Sequence, residues 1–398
     1  MSEPVKKPGH VPESYQPKKP EIVSMTQEAQ GQAEGNSTSH AASSAGGGGS
    51  RMIPDVPVIK YDGNNAGMYI TMLVTALQSM GEKCDRAKLT ALSGAGNRFC
   101  WMDGEWHGGC EMPDAINETP YETESRVLNA IGWKAKFITV RRNNDGISIN
   151  SDPAQIRQDF VASINEGFPV IAFLVKQAEC RLNLYFGYED GGQKVICYDY
   201  VKGLQGGTFT NNETPALQEH WENNIEWYVL LQGKVEAASE RETALSAFQW
   251  ISGHARRTTE INGKLVGFAA WESYLRMLEH DNFKNIPYKA VRRRFGIYMD
   301  GLCQIAERHG ALEYYRALAG KFPEWREELE AAVAALDACA SYGGFLWKNG
   351  FPMKQNAYRK FKKAKARKML AEAGREAMRK DMEAVGCFEA ILRKEGLI

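Results

Sequence analysis

The sequence lacks the features that mark several common classes of protein. No apolar run approaches the roughly 18 residues that a membrane-spanning helix needs, and the N-terminus carries no apolar signal core. Basic and acidic residues both number 49, so the net charge points neither to nucleic acid nor to an anionic membrane as a partner. We therefore expect a cytoplasmic protein that does not bind membranes.

Motifs for metals, disulfides and nucleotides are also missing. The chain has 8 cysteines in 398 residues and no CxxC pair, so neither a zinc site nor a disulfide framework is favoured. The glycine-rich stretch 203–207 is not followed by Lys-Ser/Thr or by a helical pattern, as a phosphate-binding loop would be. We expect free thiols, no metal and no cofactor.

What is present is ordinary globular composition, with 43% hydrophobic and 25% charged residues. The length suits two domains. Residues 1–51 differ from the rest, because Lys, Pro, Gln, Ser and Gly predominate and apolar clusters are rare. Such a segment cannot bury enough surface to offset its ordering entropy. We interpret it as a disordered tail or linker, with Met52 as the natural start of the folded chain.

Residues 52–235 show helical periodicity first and strand patterns later. Helices are predicted at 69–80, 85–92, 121–131 and 152–166. Strands are predicted at 135–141, 169–174, 182–188, 195–200 and 227–232. Asp190-Gly191-Gly192 between two apolar runs predicts a hairpin turn. This order indicates an α+β fold with a mostly antiparallel sheet.

Residues 236–398 are helical in pattern almost throughout. Phe268, Trp271, Leu275 and Leu278 recur at helical spacing, and glycines and prolines interrupt the pattern at intervals. We predict an all-α domain of five or six helices that packs on the first domain.

An ordered series of segments in residues 56–232 resembles the papain-like fold of double-glycine leader peptidases and of the butirosin-biosynthesis acyltransferase N-terminal domain. No single segment is specific, and the resemblance depends on their order. The segments are DGNN at 62–65, LQSMG at 77–81, GAGNRFCW at 94–101, FPVI at 168–171, FGYEDGG at 186–192 and VICYD at 195–199.

The resemblance implies a cysteine nucleophile at a helix start, a histidine and an orienting Asp. The nucleophile position corresponds to Met68, and the histidine stretch 180–184 contains Arg181 instead; only Asp199 is retained. We therefore predict a non-catalytic member that binds a small ligand or peptide in a vestigial cleft. The candidate ligand-binding residues are Asn65, Met68, Trp101, Trp106, Arg181 and Asp199.

Two alternatives remain open. Cys100 or Cys110 with His107 would form a relocated catalytic pair for an acyltransferase or amide hydrolase. A metal site built from these residues and Glu111 matches no known ligand spacing, so we predict none.

The second alternative is an interaction protein that binds nucleic acid or another anionic partner through a basic run. The cations of the run are Arg359, Lys360, Lys362, Lys363, Lys365, Arg367 and Lys368. The opposing interpretation of the run is a solvated helix face balanced by Glu372, Glu376, Asp381 and Glu383. With any of these functions, the chain could also form a homo-oligomer, which the sequence leaves open.

Overall fold

A computed structural model describes residues 49–59, 68–102, 117–119, 121–140, 152–176, 179–199, 216–350 and 357–398. All of them belong to one compact unit, Ala45–Ile398. They form an antiparallel sheet and many helices, which confirms the α+β prediction. Most of the predicted tail, residues 1–48, lies outside the described residues.

Four helices precede or interrupt the sheet strands in the first half of the chain, close to where they are predicted. They are α1 (Met68–Ser79), α2 (Arg86–Leu92), α3 (Glu122–Ala130) and α4 (Pro153–Asn165). The side chain of Asp85 caps α2 by accepting from the N–H of Ala87, and that of Asp152 caps α4. Gly81 follows α1 with a φ of 79°, a backbone conformation that favours glycine.

Seven strands form the main sheet, and every pairing in it is antiparallel. The order is β3-β8-β4-β5-β6-β7, with β1 paired to β5. The five predicted strands are all present, and β5 and β6 form the predicted hairpin. The strands are β1 (Arg51–Met52), β3 (Trp133–Thr139), β4 (Val170–Lys176), β5 (Glu179–Glu189), β6 (Lys194–Asp199), β7 (Ala216–Glu219) and β8 (Ile225–Lys234).

The sheet includes the end of the segment that we predict to be a linker. Arg51 pairs with Tyr188, and the N–H of Gly191 donates to the carbonyl of Gly49. The folded region therefore begins before Met52. Backbone pairing needs no apolar side chain, so composition gives no sign of it.

Helices cover both faces of the sheet. On one face Tyr121, which precedes α3, stacks on Phe137 of β3. On the other face Phe160 of α4 packs against Tyr185 and Tyr228. The first half of the chain is thus a three-layer arrangement with a buried sheet.

The second half is helical, as predicted, but has more helices than five or six. A short strand of this half, β9 (Leu265–Val266), pairs with β2 (Cys100–Trp101) from the first half. None of the described helices has the length and apolarity to cross a membrane. The helices are α5 (Glu240–Arg256), α6 (Gly267–His280), α7 (Tyr288–Ala306), α8 (Leu312–Lys321), α9 (Arg326–Gly350), α10 (Ala357–Phe361) and α11 (Ala364–Lys394).

One hydrophobic cluster runs through both halves. It contains Leu73 of α1 and Leu184 of β5 together with Phe248 of α5 and Phe388 of α11. The helical half therefore packs on the sheet half, as the sequence predicts.

Candidate functional site

Helix α1 begins at the position where the resemblance requires a nucleophile. Its first residue is Met68, and the next, Tyr69, is buried. A helix start is where a thiolate would be stabilised by the helix dipole. Here that position carries a thioether. Asn65 lies outside the described residues, and only the backbone of Met68 is described.

The two other cleft positions lie on neighbouring strands. Arg181 is on β5, where it pairs with Leu174 of β4, and Asp199 is on β6, where it pairs with Asn183 of β5. Arg181 is therefore two residues along β5 from the partner of Asp199. The backbone brings the two positions close together, while their side chains are outside the described part of the chain.

Asn183, between these positions, is a candidate that we do not predict from the sequence. It is 1% exposed, and its Oδ1 is buried with no hydrogen-bond donor among the described residues. Its Nδ2 lies 3.4 Å from Oη of Tyr185 and 3.8 Å from Sγ of Cys197. A buried amide oxygen with no donor is unfavourable by about 1–3 kcal/mol, and a ligand N–H would relieve that. The alternation of Arg181, Asn183 and Tyr185 with leucines in β5 is the signal that marks it.

Trp101, predicted to line the cleft, is fully buried among side chains of the helical half. Its ring lies edge-on to Tyr274 at 4.9 Å and stacks on Tyr298 at 5.6 Å, measured between ring centroids. Trp101 is thus part of a core rather than an open surface. Trp106 lies outside the described residues.

Cys100 is equally buried and is fixed by its backbone. Its N–H donates to Oε1 of Gln304 at 2.8 Å, and Nε2 of Gln304 donates to its carbonyl at 3.2 Å. Burial raises the pKa of the Cys100 thiol to about 12. The thiol is therefore protonated at neutral pH and poorly suited to nucleophilic attack. Its predicted partner His107 lies outside the described residues, as do the alternative nucleophile Cys110 and Glu111.

A buried ionic network holds this segment against the helices. Arg308 is fully buried and donates to the carbonyls of Asn97 and Arg98, at 3.2 and 2.8 Å. It also binds Asp381 of α11 through Nε and Nη2, at 3.2 and 2.8 Å. Arg98 in turn pairs with Glu307 at 3.2 Å. These contacts make residues 97–101 a structural element of the domain junction.

Burial also shifts the pKa of two other described thiols and of one imidazole. Burial raises the pKa of Cys84 to about 11 and also raises that of Cys339. Burial lowers the pKa of His254 to about 3, so its ring is neutral. Within the described ranges, no cluster of His, Cys, Asp and Glu could hold a metal ion.

The basic run is not on one helix, because it spans the end of α10, a short turn and the first residues of α11. Six of its seven cations are exposed, and Arg367 is only 3% exposed. No ion pair of these seven cations occurs among the described residues. Three of the four acids that we considered as balancing charges pair elsewhere: Asp381 with Arg308, Glu376 with Arg379 and Glu383 with Lys380.

Comparison with known proteins gives no family. No protein-family model matches the sequence, and no curated protein matches it. The function must therefore be inferred from the described residues and from the order of the segments along the chain.

Proposed function

We propose that this chain is a non-catalytic, cysteine-peptidase-like protein that binds a small ligand or peptide in a vestigial cleft. The observation that carries the proposal is that α1 begins at Met68. A thioether has no proton to lose and forms no thiolate, so Met68 could not act as the nucleophile at this helix start.

The histidine position supports the same conclusion. Arg181 stands in the stretch of β5 where the resemblance requires an imidazole. A guanidinium stays protonated at every ordinary pH and cannot act as a general base. It is well suited, however, to bind a carboxylate through two parallel hydrogen bonds. The substitution thus exchanges proton transfer for anion binding.

Asn183 adds a second recognition group close to Arg181 along β5. Its buried Oδ1 has no donor in the part of the chain that the structure describes, so it would accept a hydrogen bond from a ligand N–H that reached it. A ligand with both a carboxylate and amide N–H groups would satisfy both residues. The C-terminus of a peptide has this combination.

A peptide ending in Gly-Gly provides the test, because the resemblance is to double-glycine leader peptidases. Its binding to the full-length protein would be followed by isothermal titration calorimetry. We expect binding without cleavage, and we expect Arg181→Gln to weaken it about tenfold or more, since hydrogen bonds to charged groups contribute about 1.5–3 kcal/mol.

Arg316→Gln is the matched control. Arg316 is exposed on α8 and pairs only with Glu313 among the described contacts, so its loss should leave the affinity unchanged. No binding of the peptide by the wild type, or equal affinity of the Arg181→Gln variant and the wild type, would refute the proposal.

A second candidate function is binding of an anionic partner through the basic run. It is favoured by six exposed cations that form no ion pair with any described residue. If the run binds nucleic acid, the affinity should fall steeply as the salt concentration rises, because contacts with phosphate groups release counterions. Fluorescence anisotropy with a single-stranded DNA, at several salt concentrations, measures this. Absence of binding at low ionic strength would exclude it.

A further inference from the structure

A cavity lies where the end of α6 meets the beginning of α11. Its volume is about 490 Å³, within the range of about 300–1,000 Å³ that is typical of small-molecule sites. It is unrelated to the cleft proposed at α1. Its lining residues are Glu279, His280, Asp281, Asn282, Phe283, Lys284, Lys362, Ala364 and Arg367.

The charges around this cavity are unevenly paired. Both lining acids have arginine partners: Glu279 binds Arg375, and Asp281 binds Arg294 with 2.5 Å between Oδ1 and Nη1. The lysines have no such partners. No ion pair or hydrogen bond of the Lys284 or Lys362 ammonium group is found among the described residues. Two ammonium groups are therefore available to an anion.

The start of α11 adds unused hydrogen-bond donors. This helix of 31 residues has no acidic residue in its first turn, and its N-cap, Lys363, provides no side-chain cap. In the described part of the chain, no acceptor binds the N–H of Ala364 or Lys365, whereas the next two N–H groups donate to the Lys363 carbonyl. Free N–H groups at the positive end of a long helix favour an anion.

Arg367 on the cavity wall supplies an independent sign of a missing acceptor. Its Nη1 donates to the carbonyls of Phe361 and Lys362, at 3.1 and 2.8 Å, and its Nη2 donates to that of Asp281. These bonds hold the guanidinium 4.5 Å from the centroid of the Phe283 ring. Its Nε is buried, and none of the described residues provides it with a hydrogen-bond acceptor. A buried donor without an acceptor is unfavourable unless a ligand supplies one.

We propose that this cavity binds the phosphate group of a small phosphorylated ligand. Lys284 and Lys362 neutralise the phosphate charge, and the N–H of Ala364, which lines the cavity at the start of α11, orients the phosphate by donating to one of its oxygens. Phe283 provides an apolar wall for the rest of the ligand. The site shares Lys362 with the basic run, but Lys284 belongs to the cavity alone, so the two roles can be separated.

Calorimetric titration of the full-length protein with inorganic phosphate and with phenyl phosphate tests the proposal. We expect one site per chain, with tighter binding of phenyl phosphate because of its apolar ring. Lys284→Gln should weaken the affinity about tenfold or more, since a hydrogen bond to a charged group contributes about 1.5–3 kcal/mol. Lys365→Gln is the matched control, because it removes an exposed charge of the run whose side chain does not line the cavity.

Ala364→Pro tests the helix start without disturbing it. Ala364 is the first residue of α11, where proline fits well, and Lys363 before it already has an extended backbone, with a φ of −76° and a ψ of 123°. The variant should fold normally, since only a free N–H is lost, and should bind phosphate several-fold more weakly.

Three results would overturn the proposal. One is the absence of phosphate binding by the wild type at millimolar concentration. Another is an equal loss of affinity in Lys284→Gln and Lys365→Gln, which would indicate general charge attraction. The third is full affinity in Ala364→Pro with unchanged thermal stability. Loss of DNA binding in Lys365→Gln with phosphate affinity retained would support a separate phosphate site.

Discussion

The buried pair between Arg308 and Asp381 makes a sharp prediction about stability. Asp381 is 2% exposed and accepts two hydrogen bonds from Arg308 and one from Nε1 of Trp271, the last at 3.0 Å. Asp381→Ala would leave the Arg308 charge without its closest acid and the Trp271 N–H without an acceptor. The substitution therefore removes one carboxylate and leaves two buried donor groups, the Arg308 guanidinium and the Trp271 N–H, without their shared acceptor.

The expected loss follows from these contacts. Removing one partner of a buried ion pair lowers the free energy of unfolding by about 3–5 kcal/mol. A stranded buried N–H adds about 1 kcal/mol. We expect a total of about 4–6 kcal/mol, a large part of the about 5–15 kcal/mol by which domains are stable. The double variant Arg308→Met, Asp381→Leu should regain only part of the loss, because it leaves no unpaired charge but still removes the hydrogen bonds to the carbonyls of Asn97 and Arg98 and from the Trp271 N–H.

Urea unfolding followed by tryptophan fluorescence measures these differences. Glu383→Gln on the same helix is the control: its carboxylate is exposed and pairs with Lys380 at 2.6 Å, so its removal should change stability by less than about 0.5 kcal/mol. If Asp381→Ala destabilised the protein no more than Glu383→Gln does, the buried network would not exist as described.

Three further predictions concern backbone and titration. Gly267→Ala should lower the free energy of unfolding by about 3 kcal/mol or more, because φ is +57° and a Cβ would meet the carbonyl of His254. Gly253→Ala should instead raise it by up to about 1 kcal/mol, because Gly253 is exposed within a helix and a Cβ there meets no other atom. Thermal unfolding measures both changes. The His254 ring should show no titration in NMR spectra above pH 5, because burial lowers its pKa to about 3. Burial raises the pKa of Glu307 to about 7, so the folded protein keeps a proton that the unfolded chain releases near pH 4.5. The contribution of this group to stability is therefore present below pH 4.5 and is lost as the pH rises to 7. Glu307→Gln should remove that part of the pH dependence of stability, measured by urea unfolding.

Local signals in the sequence account for much of the fold. Asp85 and Asp152 are found as helix caps, Gly81 ends α1, and the Asp190-Gly191-Gly192 hairpin joins β5 and β6. Each depends on residues close together in the chain, so a pattern of short range predicts it.

Contacts between distant residues were beyond such reasoning. Arg308 binds the carbonyl of Arg98, 210 positions away, and no periodicity marks either residue as buried and paired. Trp101 shows the same limit. Its neighbours in sequence led us to predict a cleft wall, because they give no sign of its packing on the distant residues Tyr274 and Tyr298. Strands of two residues, such as β2 and β9, are too short to show alternation.

The candidate site, like the fold, can be predicted from the sequence only where short-range patterns determine it. Periodicity predicts a helix that begins at Tyr69, and the resemblance implies a start at Met68, which is where the structure begins α1. Asn183 could have been found from the alternation in β5, but its lack of a donor depends on Tyr185, Cys197 and the packing around them. Composition alone cannot show that a buried amide lacks a partner.

Thiol reactivity tests the absence of cysteine catalysis most directly. The native full-length protein would be treated with iodoacetamide at pH 7 and each cysteine followed by mass spectrometry, with the unfolded chain as the reference. We predict that no cysteine reacts faster in the native protein than in the unfolded chain, and that Cys84, Cys100 and Cys339 react much more slowly because burial raises the pKa of each thiol. Rapid stoichiometric labelling of a single thiol such as Cys110, lost on His107→Ala, would contradict the account.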